Sequence, residues 1–166
     1  AIKVVDLMNY LQLDNEVRKV NMVAADGFKK DEEKKIFRNG YIKITGEHAP
    51  MFLSPDIPKG MYVKELVFVG SGDKVIFSYD RGLDVFEEIK IKDQTGIKIS
   101  SLINEAGLVK AEKYSMAASD GYAVEVTYGD LEMGIVYKDK KGRIRSLFKN
   151  LSKKTSVKFL LTIEAL

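Results

Sequence analysis

The most chemically suggestive feature of this chain is a run of basic side chains near its end. Residues 138–158 contain nine Lys and Arg residues and one acid, Asp139, although the whole chain of 166 residues has a net charge of only +3. Arg145 could donate two parallel hydrogen bonds to a phosphate group, and Lys158 could add a compact positive charge. Arg143 and Lys154 are further candidates for the same site. If these side chains converge, this end of the molecule attracts a phosphate or an acidic partner.

The same basic run has a second interpretation, which stays open at this point. A solvated hairpin uses lysines to keep an edge strand from pairing with other chains. A nucleic-acid surface is the weaker interpretation, because only Phe148 and Phe159 are interleaved with the charges and the overall charge is modest. We therefore predict a small anionic ligand or a protein partner, and no nucleic acid.

Other catalytic chemistry has little support in the residues. The chain has no Cys, which excludes disulfides, thiolate nucleophiles and thiolate-ligated metals. His48 is the only histidine, and although Glu47 stands beside it, a surface position is expected. Glu87 and Glu88 are adjacent in a predicted strand and so point to opposite faces. We predict no catalytic residues and no metal ligands.

Two Asp-Gly pairs punctuate the chain, at Asp26-Gly27 and at Asp120-Gly121. An exposed Asp can be a ligand or an acid, but Asp-Gly after an apolar run is a strong hairpin signal, because Gly tolerates positive φ. These four residues are therefore predicted to be structural turns.

The surroundings of the two turns also repeat. Residues 21–28 read Asn-Met-Val-Ala-Ala-Asp-Gly-Phe and residues 115–122 read Ser-Met-Ala-Ala-Ser-Asp-Gly-Tyr, an offset of 94 that recurs between Val-Lys at 63–64 and at 157–158. Ile-Lys-Val at 2–4 matches Ile-Lys-Ile at 97–99 with an offset of 95, as Leu13 matches Leu108. This pattern predicts an internal duplication, with residues 1–70 as a first, partial repeat and residues 71–166 as a second, fuller one, packed together as one compact unit.

The elements that must position these residues are short. The pattern predicts a helix from Asp6, as N-cap, to about Leu13, and a solvated charged connection over residues 29–35. Two strands at 75–79 and 85–92 are predicted to flank a turn. No stretch approaches the roughly 18 apolar residues of a membrane helix, so no membrane insertion is expected. Many short strands with one short helix per repeat predict an α+β fold that is mostly β.

Several segments resemble the sulfite-oxidase-type molybdopterin-binding domain family. Residues 96–108 (Gly-Ile-Lys-Ile-Ser-Ser-Leu-Ile-Asn-Glu-Ala-Gly-Leu) are similar to the family's Gly-Val-x-Leu-x-x-Leu-Leu-x-x-Ala-Gly segment. Asp-Gly-Tyr at 120–122 resembles its turn, and Ser-Val-Lys-Phe at 156–159 resembles its closing Ser-Val-Lys-Trp. Arg-Ile-Arg-Ser-Leu at 143–147 is a fainter likeness of Pro-Leu-Arg-Leu-Val. In the first repeat, residues 50–55 keep the prolines but put Phe52 at the Arg position.

The resemblance covers residues 62–166 well and residues 1–69 more weakly. It implies the mixed β fold of that family, with β-grasp-like units, and a phosphate-binding role for Arg145 and Lys158. The family's enzymes hold molybdenum through a Cys, which this chain lacks. The expected function is therefore a non-catalytic binding module for a small anion or a pterin-like ligand. No cofactor is expected from the residues, and molybdopterin is implied by the resemblance alone.

Two other functions stay open at this stage. One is a structural or protein-interaction repeat of a secreted or cell-surface protein, and the other is a molybdenum-dependent oxidoreductase. The first residue is Ala rather than Met, which predicts a processed or cut fragment. Together with the family likeness, this predicts an extracytoplasmic location, with the cytoplasm as the alternative.

Overall fold

The computed structural model describes residues 1–11 and 17–166, with no side chains described at positions 9–11. The chain is 41% strand and 20% helix, which agrees with an α+β fold dominated by β-structure. Within the described residues, no helix is long and apolar enough to cross a membrane.

Short strands and short helices follow one another through the described residues. The strands are β1 (Ile2–Lys3), β2 (Lys19–Ala24), β3 (Lys29–Glu33), β4 (Tyr41–Lys43), β5 (Met51–Leu53), β6 (Leu66–Gly70), β7 (Lys74–Phe77), β8 (Glu88–Ile91), β9 (Gln94–Lys98), β10 (Lys113–Ala118), β11 (Ala123–Thr127), β12 (Gly134–Lys138), β13 (Ile144–Phe148) and β14 (Leu160–Ala165). The helices are α1 (Val4–Leu11), α2 (Lys34–Arg38), α3 (Tyr79–Gly82), α4 (Ile99–Glu105) and α5 (Tyr128–Glu132), with 3₁₀ turns at Lys59–Met61 and Lys153–Thr155.

A seven-stranded sheet joins the two halves of the chain. Its order is β11-β10-β14-β7-β6-β2-β3, and every neighbouring pair is antiparallel. Since β6 and β14 both run antiparallel to β7, they are parallel to each other. A two-fold rotation about an axis along β7 therefore exchanges β6, β2 and β3 with β14, β10 and β11. Two smaller sheets flank this one, with the orders β1-β4-β5 and β13-β12-β9-β8.

Elements of residues 1–70 recur in residues 94–166 in the same order. An offset of 94 residues relates β2 to β10, β3 to β11, α2 to α5, β4 to β12, β5 to β13 and β6 to β14. For β1 and β9, and for α1 and α4, the offset is 95 residues. The change of one residue lies between Leu11 and Lys19. Local irregularities recur too: the pairing shifts register after Val23 and after Ala117, and Glu65 and Phe159 have φ of 53° and 55°.

Helices α1 and α4, which occupy corresponding positions in the two halves, pack on opposite faces of the large sheet. Ile76 of β7 is connected through strand pairing with Val69 to Met22, in the core beneath α1. Its neighbour Val75 is connected through Ile163 to Met116, in the core beneath α4. Because successive strand residues face opposite sides, one sheet carries a separate hydrophobic core on each face.

Three predicted elements are corrected by the structure. The first helix begins at Val4 rather than after Asp6, and its predicted end at Leu13 lies outside the described residues. Residues 29–33 form strand β3 despite their charge, because the Asp-Gly turn sets them in register with β2, and Lys30 Nζ lies 2.8 Å from the buried Glu32 carboxylate. The strands predicted at 75–79 and 85–92 do not pair with each other, since α3 carries the chain from one sheet to another.

One predicted correspondence between the halves is wrong. Phe52 was expected at the position of Arg145, but Lys43 pairs with Met51 as Tyr137 pairs with Arg145, so Met51 occupies that position. Phe52 corresponds instead to Ser146. The predicted boundary between residues 70 and 71 falls at the end of β6, where the chain turns into β7.

Candidate functional site

The basic run lies on the β12–β13 hairpin and on the segment that follows it. Asp139 shapes the hairpin turn, because its Oδ1 accepts hydrogen bonds from the backbone N–H of Lys141 at 2.9 Å and of Arg143 at 3.0 Å. Gly142 then adopts a φ of 79°, which a residue with a Cβ adopts only with strain. The turn thus brings Arg143 back beside the carboxylate that organises it.

Asp139 holds two of the four predicted cations together. Arg143 Nε lies 2.7 Å from Asp139 Oδ2, and Arg145 Nη1 lies 3.8 Å from the same oxygen. The Asp139 side chain is only 13% exposed. Burial by itself raises the pKa of Asp139, but the hydrogen bonds from Arg143 and Lys141 and the Arg143 charge outweigh burial and lower the pKa below its usual value. The carboxylate is therefore ionised at neutral pH.

Arg145 is less completely paired than Arg143. Its side chain is 22% exposed, and its Nε is buried with no hydrogen-bond partner among the described residues. At 3.8 Å, its contact with Asp139 is an ion pair rather than a hydrogen bond. The guanidinium therefore keeps donor capacity that the protein itself does not use.

Lys154 and Lys158 are exposed on the segment that connects β13 to β14. Ser146 of β13 fastens this segment, since its Oγ accepts a hydrogen bond from Val157 N–H at 2.9 Å. The guanidinium of Arg143 lies 5.8 Å from the ring centroid of Phe159, which places the backbone next to Lys158 beside the hairpin. Arg143 and Arg145 thus share the carboxylate of Asp139. Lys158 directly precedes Phe159, the residue that Arg143 contacts, and Lys154 lies in the 3₁₀ turn before it.

The four predicted turn residues adopt the same geometry in both halves. Asp26 Oδ1 accepts a hydrogen bond from Phe28 N–H at 2.9 Å, and Asp120 Oδ1 accepts one from Tyr122 N–H at 3.0 Å. Gly27 and Gly121 have φ of 90° and 92°. In this geometry each carboxylate is engaged with the backbone of its own turn.

His48 lies between two carboxylates. Its Nδ1 is 3.3 Å from Glu65 Oε1 and its Nε2 is 3.4 Å from Glu47 Oε1, while the side chain is partly exposed. Arg81 extends the cluster, with Nη1 4.0 Å from Glu65 and Nε donating to the Ala49 carbonyl at 2.9 Å. Across the described residues, no three His, Asp or Glu side chains are grouped so as to hold a metal ion.

Several cavities lie outside the basic hairpin, and two of them differ in the polarity of their linings. A polar one of about 480 Å³ separates β2 and β3 from the end of α4. Within it, Asn21 Nδ2 donates to the Ala106 carbonyl at 3.3 Å, and Lys29 Nζ lies 3.9 Å from Glu105, so its polar groups link the two halves. The other is an apolar groove of about 190 Å³ on the first half, which we name the Ile44 groove. It is lined chiefly by Ile2, Leu7, Ile42, Ile44, Pro50 and Ile76.

Sequence reasoning missed two features of these surfaces. Asp139 is the lone acid in the basic run, and its place at the tip of a hairpin is the sequence signal that could have indicated its ion pair with Arg143. The Ile44 groove left no such signal, because exposed and covered apolar residues look alike in sequence.

Three comparisons with known proteins found no match: neither a family model, nor a curated protein, nor a solved structure matches this chain.

Proposed function

We propose that this chain is a non-catalytic binding module that takes a small anion, such as the phosphate of a pterin-like ligand, at Arg145 and Lys158. The observation that carries the proposal is the incompletely paired Arg145, whose buried Nε has no hydrogen-bond partner among the described residues. The Arg145 side chain is 22% exposed, so an anion could approach the accessible part of its guanidinium and accept charge-assisted hydrogen bonds there.

The charge around Arg145 supports the same function. Arg143 and Arg145 share one carboxylate, that of Asp139, and Lys154 and Lys158 lie exposed on the segment that follows the hairpin. The excess positive charge attracts an anion, and the partial burial of Arg145 reduces screening by water and salt. Met51 replaces Arg145 at the corresponding position of the first half, so the proposed site belongs to the second half alone.

The proposed fold is a duplicated relative of the sulfite-oxidase-type molybdopterin-binding domain. The matching order of elements at offsets of 94 and 95, and the repeated bulges and turns, support the duplication. The family likeness rests on the sequence segments alone. Because the chain has no Cys, it cannot supply the thiolate ligand of that family, so we propose binding without redox catalysis.

Equilibrium titration with inorganic phosphate, pyrophosphate and a pterin phosphate tests this function. Wild-type protein is expected to bind at least one of them, more weakly as salt is raised. Arg145→Gln and Lys158→Ala are expected to weaken binding by about tenfold or more, since each removes a charge-assisted contact. Lys90→Ala removes an exposed lysine of β8 and serves as the matched control.

The proposal is wrong if the wild-type protein binds none of the three anions, or if both variants bind them as well as Lys90→Ala does. Lys158 is exposed, so its variant keeps the test valid even if Arg145→Gln folds poorly.

A further inference from the structure

Phe159 has a backbone conformation that its residue type does not favour. Its φ is 55°, in the left-handed region that Gly and Asn adopt readily and that a bulky residue adopts only with strain. Its side chain is 46% exposed, so burial offsets little of that strain. The packing of the fold therefore gives little reason for an aromatic side chain at this position.

The conformation itself belongs to the fold, because the corresponding residue of the first half also adopts it. Glu65 has a φ of 53°. The backbone carbonyl of Phe159 accepts a hydrogen bond from Ser119 N–H at 3.0 Å, and that of Glu65 accepts one from Ala25 N–H at 2.9 Å. The backbone is thus held in the same way in both halves, and the side chain at this position is what the halves do not share.

Backbone pairing brings the two cations of the proposed anion site together beside Phe159. Ser146 N–H donates to the Val157 carbonyl at 3.1 Å, and Ser146 Oγ accepts from Val157 N–H. The corresponding residues of the first half form an antiparallel bridge. In this register Lys158 lies opposite Arg145. Like charges directly opposite each other repel, and an anion placed between them would remove that repulsion.

The ring of Phe159 provides an apolar surface next to these cations. The guanidinium carbon of Arg143 lies 5.8 Å from the ring centroid, and Arg143 shares the Asp139 carboxylate with Arg145. Almost half of the Phe159 side chain stays accessible to a ligand. Aromatic rings pack against each other in offset or edge-to-face arrangements. A ligand ring attached to the bound anion can therefore pack on this side chain.

We propose that the anion site recognises an aromatic phosphate, whose phosphate group lies between Arg145 and Lys158 and whose ring packs against Phe159. This inference rests on the anion site proposed above and adds the class of compound that carries the anion. Phe159 then determines which phosphate compound binds, and the two cations determine that a phosphate binds at all.

Titration of the full chain with phenyl phosphate, ethyl phosphate and inorganic phosphate separates the ring from the anion. Wild-type protein is expected to bind phenyl phosphate about five- to tenfold more tightly than ethyl phosphate, which is the gain from one aromatic contact. Phe159→Leu is expected to abolish this preference and to change the affinity for inorganic phosphate by less than about twofold. Phe159→Tyr keeps a ring and should retain the preference.

Phe28→Leu is the matched control, because Phe28 is 50% exposed and lies in the first half. Phe159→Asn is a second test variant, since Asn tolerates the left-handed region and removes the ring without adding backbone strain. The inference is overturned if phenyl phosphate binds no more tightly than ethyl phosphate, or if Phe159→Leu and Phe159→Asn weaken all three ligands alike; in either case the anion site stands. If none of the three ligands binds, the anion site and this inference both fail.

Discussion

Replacing Ser146 by Ala should both destabilise the fold and loosen the segment that carries Lys158. Ser146 is fully buried, and its Oγ accepts the hydrogen bond of Val157 N–H at 2.9 Å. Val157 is also fully buried, so no water can replace the lost acceptor without opening the structure. The substitution therefore leaves a buried backbone donor without its partner.

The magnitude follows from that orphaned donor. An unsatisfied buried N–H costs about 1–3 kcal/mol of unfolding free energy. For a chain of this length, that loss lowers the midpoint of thermal unfolding by about 3–10 °C. Urea unfolding followed by circular dichroism measures the first quantity, and thermal unfolding measures the second. Hydrogen exchange of the Val157 amide should become faster, and phosphate affinity should fall with it.

Ser115→Ala is the control, because Ser115 is a partly exposed serine on β10. It should change the unfolding free energy by less than about 0.5 kcal/mol. If Ser146→Ala is as stable as Ser115→Ala and its Val157 amide stays equally protected, the hydrogen bond does not fasten the segment, and our account of how Lys158 is positioned is wrong.

Two further predictions concern the hairpin and the sheet that holds it. The lowered pKa of Asp139 means that its contribution to stability is present above the unfolded-state pKa and is lost as pH falls through the folded-state pKa. Asp139→Asn should therefore flatten the acid limb of urea unfolding below about pH 5, and an unchanged limb would contradict this. Gly96→Ala should destabilise strongly, because its Cβ would lie 2.2 Å from the Val136 carbonyl oxygen, whereas Gly60→Ala faces open space and should be tolerated. Equal unfolding midpoints for these two variants would refute the packing argument.

Local features were the ones that could be predicted from the sequence. The two Asp-Gly pairs predicted turns because their preference for positive φ is a property of the residues themselves. The offset of 94 was visible because matching elements keep their side-chain patterns. The balance of strand and helix likewise followed from the spacing of apolar residues.

Features that depend on distant pairing could not be predicted. The charged residues 29–33 look like a loop, and they form a strand because β2 is in register beside them. Met51 rather than Phe52 corresponds to Arg145, because the strand pairing sets the register and the local motif does not. The pairing of Asp139 with Arg143 requires the chain to reverse at Gly142.

Sequence by itself establishes an excess of basic residues near the end of the chain, the absence of Cys, and two halves with matching patterns, because composition and spacing are properties of the chain alone. Tertiary structure alone reveals that β7 joins the two halves in one sheet, and that Gly82 of α3 packs against the buried Ile97 whereas Ile2 stays 41% exposed. The physical reason is that burial is a property of pairs of segments. Ile2 and Ile97 are the same residue type in the same local pattern, and a segment far from Ile2 makes the difference between them.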